Sequence, residues 1–167
     1  MDDHQAKVAI EHLMYRYAEC VDLARFSELG ELFAHATLRA DVSDGSMRGV
    51  DDIRDFYAAT NRVHDTGTLC TRHLSTNVVI EVDIDARRAT ALSCFTVLQA
   101  TPRLALQPIV TGRYADVFEH VDGRWRFADR MVLVDQIGDM SEHLSIDLRT
   151  ERVVYEEAVG RPLGERG

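Results

Sequence analysis

At 167 residues, 46% hydrophobic and 28% charged, the chain has the length and composition of one domain whose core needs no disulfide or metal staple. A net charge of -9 with no Lys/Arg cluster argues against nucleic acid or an anionic membrane surface as a partner, since phosphate binding needs a basic face. Three scattered cysteines (Cys20, Cys70 and Cys94) without a CxxC spacing predict reduced thiols in a cytoplasm, the acidic start MDDHQAK does not read as a signal peptide, and no apolar run approaches the ~20 residues that span a bilayer.

The first predicted element is a helix over about residues 5–20. Ile10, Leu13, Met14, Tyr17 and Val21 recur at three- and four-residue steps and form one apolar stripe. Two polar groups sit where such a stripe would rather have none: the phenol of Tyr17 and the carboxylate of Asp22. On an ideal helix they point roughly 140° apart. They can share a pocket only if the helix ends or bends near Val21, or if the pocket wraps round its end. A short second helix follows, with Ser27 as N-cap and Leu29, Leu32 and Phe33 as its buried side. Asp22 has an alternative role as a cap of that helix, and Tyr17 as a core aromatic whose hydroxyl reaches water.

Residues 37–42 alternate as a short strand, Asp44-Gly45 supplies a turn, and residues 47–49 read as the returning half of a hairpin. From Val50 the pattern is helical again, with Val50, Ile53, Phe56 and Tyr57 on one side and Asp51, Asp52 and Asp55 on the other. Residues 61–71 read as an irregular connection. Four extended segments then follow, 73–82, 89–99, 108–121 and 124–136, separated by turns such as Asp83-Ile84-Asp85 and Asp122-Gly123, and predict an antiparallel meander. His73 enters the first of them.

Segment 89–99 is apolar on both faces: Ala89, Ala91, Phe95 and Val97 on one, Leu92, Cys94 and Leu98 on the other. Such a sheet is covered twice, and a second copy of the chain is the economical second cover, so a homodimer or homotrimer is expected. Residues 149–167 form a charged tail with a helical possibility over 151–159, which divides the chain into a domain over 1–148 and a tail.

Helices first and a long curved antiparallel sheet after is an α+β order. RYAECVD (16–22), GELF (30–33), GVDDIRDFY (49–57), RHLSTNVVI (72–80), GRYADVFEHVDGRWRFADR (112–130) and VDQIGDMSEHL (134–144) resemble the SnoaL-like branch of the nuclear transport factor two-like superfamily. The resemblance covers residues 10–144. It implies a cone-shaped α+β barrel, helices closing one end of a bent sheet around a deep pocket. Members include scytalone dehydratase, ketosteroid isomerase, bile-acid dehydratase, hexachlorocyclohexane dehydrochlorinase and polyketide cyclases. Several of the eliminating enzymes use an Asp from the end of the first helix and a His at the start of the next long strand, positions that Asp22 and His73 match. Tyr17 resembles the first-helix tyrosine of the bile-acid dehydratases, and Arg130 lies where the dehydrochlorinase has a pocket arginine. The second histidine of scytalone dehydratase has no match, since that stretch reads Leu92-Ser93-Cys94-Phe95.

The chemistry is coherent on its own terms. A neutral imidazole can abstract a proton near pH 7, and a carboxylate on its other nitrogen fixes the tautomer and stabilises the imidazolium that forms. Tyr17 could donate a hydrogen bond to a developing anion, with Arg130 as a fixed positive charge. Ideal alternation puts Arg130 on one face with Arg126, Ala128 and Val132, opposite Trp125, Phe127 and Met131; which face lines the pocket stays open. A lone His in an apolar strand is also a common structural residue. Arg113, Tyr114, Asp116 and Trp125 read as sheet and core structure. His64, Asp65 and His73 lack zinc spacing, and no GxSxG, P-loop or dinucleotide fingerprint occurs, so neither metal nor cofactor is expected. The expectation is a cofactor-independent lyase or isomerase acting on a hydroxylated or ketonic ring compound. The alternative is a non-catalytic ligand-binding module or the small structural subunit of a ring-hydroxylating dioxygenase.

Overall fold

A capping box opens the first helix: the Asp2 carboxylate accepts from the Gln5 backbone N–H at 2.8 Å, and the Gln5 side chain accepts from the Asp2 N–H at 3.1 Å. This helix, α1, spans Asp3–Asp22, two residues beyond the expected span at each end. It buries Ile10, Met14, Tyr17 and Val21 of the stripe read from the sequence, and Ala6 with them, while Leu13 is half-buried. The second helix, α2, spans Phe26–Leu32. Its N-cap is Arg25, without a side-chain cap, so neither Ser27 nor Asp22 plays the capping part considered for them. The computed structural model describes residues 2–148 and 153–154.

Three short strands, β1 (Thr37–Ala40), β2 (Ser43–Asp44) and β3 (Met47–Arg48), lead into α3 (Gly49–Thr60). Asp52 of α3 is buried rather than on the solvent side where the pattern put it. The four long segments are β4 (Thr71–Asp83), β5 (Arg88–Thr101), β6 (Leu104–Val121) and β7 (Arg124–Ile137). They form the expected antiparallel meander. β1 adds to β7 in parallel, from Thr37 opposite Asp129 to Ala40 opposite Val132, and β3 pairs antiparallel with β1. The result is an α+β fold with a mixed six-stranded sheet in the order β3-β1-β7-β6-β5-β4, not closed on itself, with β3 and β4 as free edges.

Helix α1 packs against β4 and β7. Beneath it lie the inward residues of β5, Ala89, Ala91, Phe95 and Val97, and an aromatic stack in which Phe127 meets Phe33 and Phe118 at 4.6 and 4.7 Å. Among the described residues, the other face of β5 is open: Leu92 is 63% exposed and lies opposite Val79. Val153–Val154 form a strand, β8, parallel to β2, in place of the helix considered over 151–159. The remainder of the tail and of that helix lies outside the described residues. Among the described residues, no helix is long and apolar enough to cross a membrane.

Candidate functional site

Where α1 ends, β4 begins, and the two are tied together at Asp22. The Leu69 N–H donates to the Asp22 carbonyl at 3.1 Å, which gives one of the helix's last carbonyls a partner. Two residues further on, the Thr71 hydroxyl donates to Asp22 Oδ1 at 2.7 Å. The His73 backbone N–H donates to Oδ2 at 3.0 Å, and His73 Nδ1 donates to Oδ1 at 2.6 Å. Burial alone would push the Asp22 carboxyl up. The hydrogen bond and charge of His73, with the Thr71 hydroxyl and the His73 backbone, outweigh it and hold the carboxyl below its ordinary range. With Nδ1 committed to the carboxylate, Nε2 of a neutral His73 carries the basic lone pair.

Tyr17 and Asp22 do not touch the same point, in keeping with their angular separation on α1. Their common neighbour is His73. Asp22 lies behind it, while Tyr17 stands edge-on to its ring with centroids 6.3 Å apart. The Tyr17 hydroxyl pairs with that of Tyr57 at 3.1 Å.

His73 and Tyr17 form part of the wall of a mostly apolar cavity of about 150 Å³, roughly ten times the space one ordered water needs. α1 contributes Tyr17 and Val21, α3 Phe56 and Tyr57, the sheet Leu38, Phe95, Val97, Tyr114 and Val132, and the segment after β7 Met140, His143 and Leu144. A wider hollow lined by Arg87, His120, Asp122 and Trp125 sits at the opposite end of β4 from His73. Among the described residues, no group of three or more His, Cys, Asp or Glu could hold a metal ion.

Arg130 is placed differently from the expectation. It is fully buried and forms a bidentate pair with Asp116, at 2.7 and 2.6 Å, directly across from it on β6. Its guanidinium packs against the rings of both Tyr17 and Tyr114, 4.2 Å from each centroid, and it does not line the cavity. Ideal alternation failed because of a bulge: Val117 pairs with Asp129 but Phe118 with Phe127, so Ala128 is extra and Arg130 turns to the face of Trp125 and Phe127. Burial works against its charge, but Asp116 more than compensates and the guanidinium stays protonated.

Three further polar residues of the wall were not among the expected site residues. Tyr57 and Tyr114 are held above the ordinary tyrosine range, chiefly by burial, and remain neutral hydroxyls. The sequence pattern marks Tyr57 only as the apolar side of a helix, and Tyr114 as sheet core. His143 is 6% exposed, with its ring centroid 6.5 Å from that of His73. Burial, foremost, lowers its pKa to about 3, so the ring is neutral through the physiological range. It occupies a turn after the last long strand, where no periodicity marks it.

A profile of the SnoaL-like domain matches residues 2–131. No curated protein matches the chain. Among solved structures, a protein of unknown function from Mycobacterium tuberculosis is 24% identical, covering 92% of this chain and 83% of its own, with a TM-score of 0.65. A provisionally assigned scytalone dehydratase from Novosphingobium aromaticivorans is 22% identical, covering 80% and 86%, with a TM-score of 0.62. The beta subunit of a provisionally assigned aromatic-ring-hydroxylating dioxygenase from the same organism is 19% identical, covering 80% and 92%, at 0.64. At these identities the likeness is one of fold.

Proposed function

The chain belongs to the SnoaL-like domain family, and from that premise we propose a cofactor-independent lyase or isomerase, dehydratase-like in its chemistry, acting on a small, mostly apolar cyclic hydroxy or keto compound. His73 is the general base through Nε2. Asp22 fixes its tautomer and balances the imidazolium that forms. Tyr17, with its hydroxyl partner Tyr57, donates to the oxygen on which negative charge develops. Arg130 acts through the faces of Tyr17 and Tyr114 rather than on the substrate, which makes it a positioning residue. The carrying observation is the 2.6 Å contact from His73 Nδ1 to Asp22 at the wall of an apolar cavity.

The test needs no knowledge of the natural substrate. A base of this kind exchanges the acidic C–H protons of a cyclic ketone such as 2-tetralone with deuterium from solvent, which NMR follows directly. The wild-type protein should accelerate that exchange, and His73→Ala should lower the rate roughly a hundredfold or more while leaving the circular dichroism spectrum unchanged. Equal rates in the two proteins would remove His73 as the base.

The likeness to a dioxygenase beta subunit favours a second reading, a small structural subunit without catalysis of its own. Copurification with a larger iron–sulfur subunit, and no exchange activity, is the outcome it predicts. Under either reading we assign the bare face of β5 to a homodimer or homotrimer contact. Three unpaired thiols support a reducing, cytoplasmic setting.

A further inference from the structure

Glu142 is among the most firmly tied residues of the segment that follows β7. Its carbonyl accepts from His64 Nε2 and from Gln99 Nε2, each at 2.9 Å. Its carboxylate holds Arg103 at 3.0 Å and accepts from the Thr101 hydroxyl at 3.3 Å. Immediately after it, the Arg62 N–H donates to the His143 carbonyl at 2.8 Å and Arg62 Nε to the Leu144 carbonyl at 3.0 Å. A turn fixed from this many directions carries one polar side chain into the cavity wall, that of His143.

Among the described residues, that ring has no hydrogen bond that would explain its placement, and its Nδ1 is sealed from solvent without a partner. An orphaned lone pair costs less than an orphaned N–H, because unmet donors are the rarer and more expensive case. The proton therefore belongs on Nε2, and the ring offers the cavity a hydrogen-bond donor. His73, tied through Nδ1, presents the opposite function, a lone pair. The two rings stand 6.5 Å apart at a steep angle of 63°. A donor and an acceptor at that spacing suit neighbouring positions on one small molecule, an acidic C–H and the oxygen of the adjoining carbon.

We propose that His143 is a substrate-binding residue which donates a hydrogen bond to an oxygen of the ring compound, a ketone or hydroxyl next to the carbon that His73 addresses. This rests on the proton-transfer reading for the choice of neighbouring carbon, but the oxygen contact itself does not depend on turnover. The neutrality of the imidazole suits the part, since such a ring polarises a carbonyl without surrendering a proton to bulk solvent.

The probes are 2-naphthol, whose oxygen copies the enol of 2-tetralone, and naphthalene, which has the same ring system and no oxygen. By fluorescence titration, wild-type protein should bind 2-naphthol about tenfold or more tightly than naphthalene, the scale of one good hydrogen bond. His143→Phe should lose that preference and still bind naphthalene, whereas His143→Gln, which keeps a donor, should recover part of it. As a check that needs no variant, the His143 Nε2 resonance of 15N-labelled wild-type protein should move with 2-naphthol and stay in place with naphthalene. A wild-type protein without the preference, a preference that survives in His143→Phe, or a static Nε2 resonance overturns the proposal. Because these readouts are binding equilibria, they separate from the exchange assay: loss of exchange in His73→Ala leaves them standing, and their failure leaves His73 as base untouched.

Discussion

His143 and Asp22 leave marks of the same sign on the pH dependence of stability, because both have lowered pKa values, but they do so in different pH windows. Asp22 is held below its ordinary value in the fold, so the stability it lends is present above the unfolded pKa of about 3.9 and is lost as pH falls through the folded value. His143 is buried neutral, with a folded pKa of about 3 against 6.5 when free. Between those values the unfolded chain binds a proton that the native chain does not, so stability falls as pH drops below 6.5. The shift corresponds to at most about 5 kcal/mol, spread over that whole interval. Urea unfolding at pH 7, 5.5 and 4.5 should show a steady loss in the wild-type protein that is markedly shallower in His143→Phe; identical slopes would mean that the ring is not buried neutral. Asp22, His73 and Tyr17 stood out in the sequence because each interrupts an apolar period. His143 interrupts nothing, and its burial comes from contacts at Arg62, His64 and Gln99 that are far away in the chain.

At the scale of elements, the long strands were legible because side chains alternate with a period of two, and their turns carry Asp and Gly at the required places. The bulges were not. One extra residue flips every side chain beyond it, and nothing in the local pattern announces it, which is how Arg130 came to face the core. The parallel addition of β1 to β7 was equally hidden, since a four-residue strand carries no mark of its distant partner. A second bulge lies where Thr111 pairs with Gln136 and Gly112 with Val134. A Cβ on Gly112 would lie 2.2 Å from the Leu133 carbonyl oxygen and 2.6 Å from the Phe95 ring. Phe95 in turn stacks on Tyr114 at 4.5 Å and forms part of the cavity wall. Gly112→Ala should therefore cost about 1–3 kcal/mol through overpacking and lower the melting temperature by several degrees. Thermal unfolding followed by circular dichroism reads this directly, and an unchanged midpoint would show that the β6–β7 pair can part without penalty.

At the scale of the whole molecule, the helices cover one face of the sheet and leave β4 and β5 bare on the other. There Leu92 at 63% and Val79 at 59% exposure face each other across the two strands, with Leu74 at 44% nearby on β4. Scattered apolar residues on a surface need no explanation, but a cluster paired across two strands suits the contact proposed above. The sequence suggests a second cover from the two apolar faces of β5, and the described residues do not supply one. The chain's net charge of -9 opposes association at long range, so the proposed contact between copies would rest on this apolar patch. Two consequences follow for sedimentation at micromolar concentration. Wild-type protein should run as a dimer or trimer whose affinity rises with salt, as screening removes the repulsion while apolar burial persists. Leu92→Glu should weaken association about tenfold or more by setting an unpaired charge in the contact, while the cavity, on the other side of β5, keeps its affinity for 2-naphthol. A wild-type protein that sediments as a monomer at every salt concentration would show that the bare face is not a contact between copies, and the reason for its apolar residues would then have to be sought in a different partner.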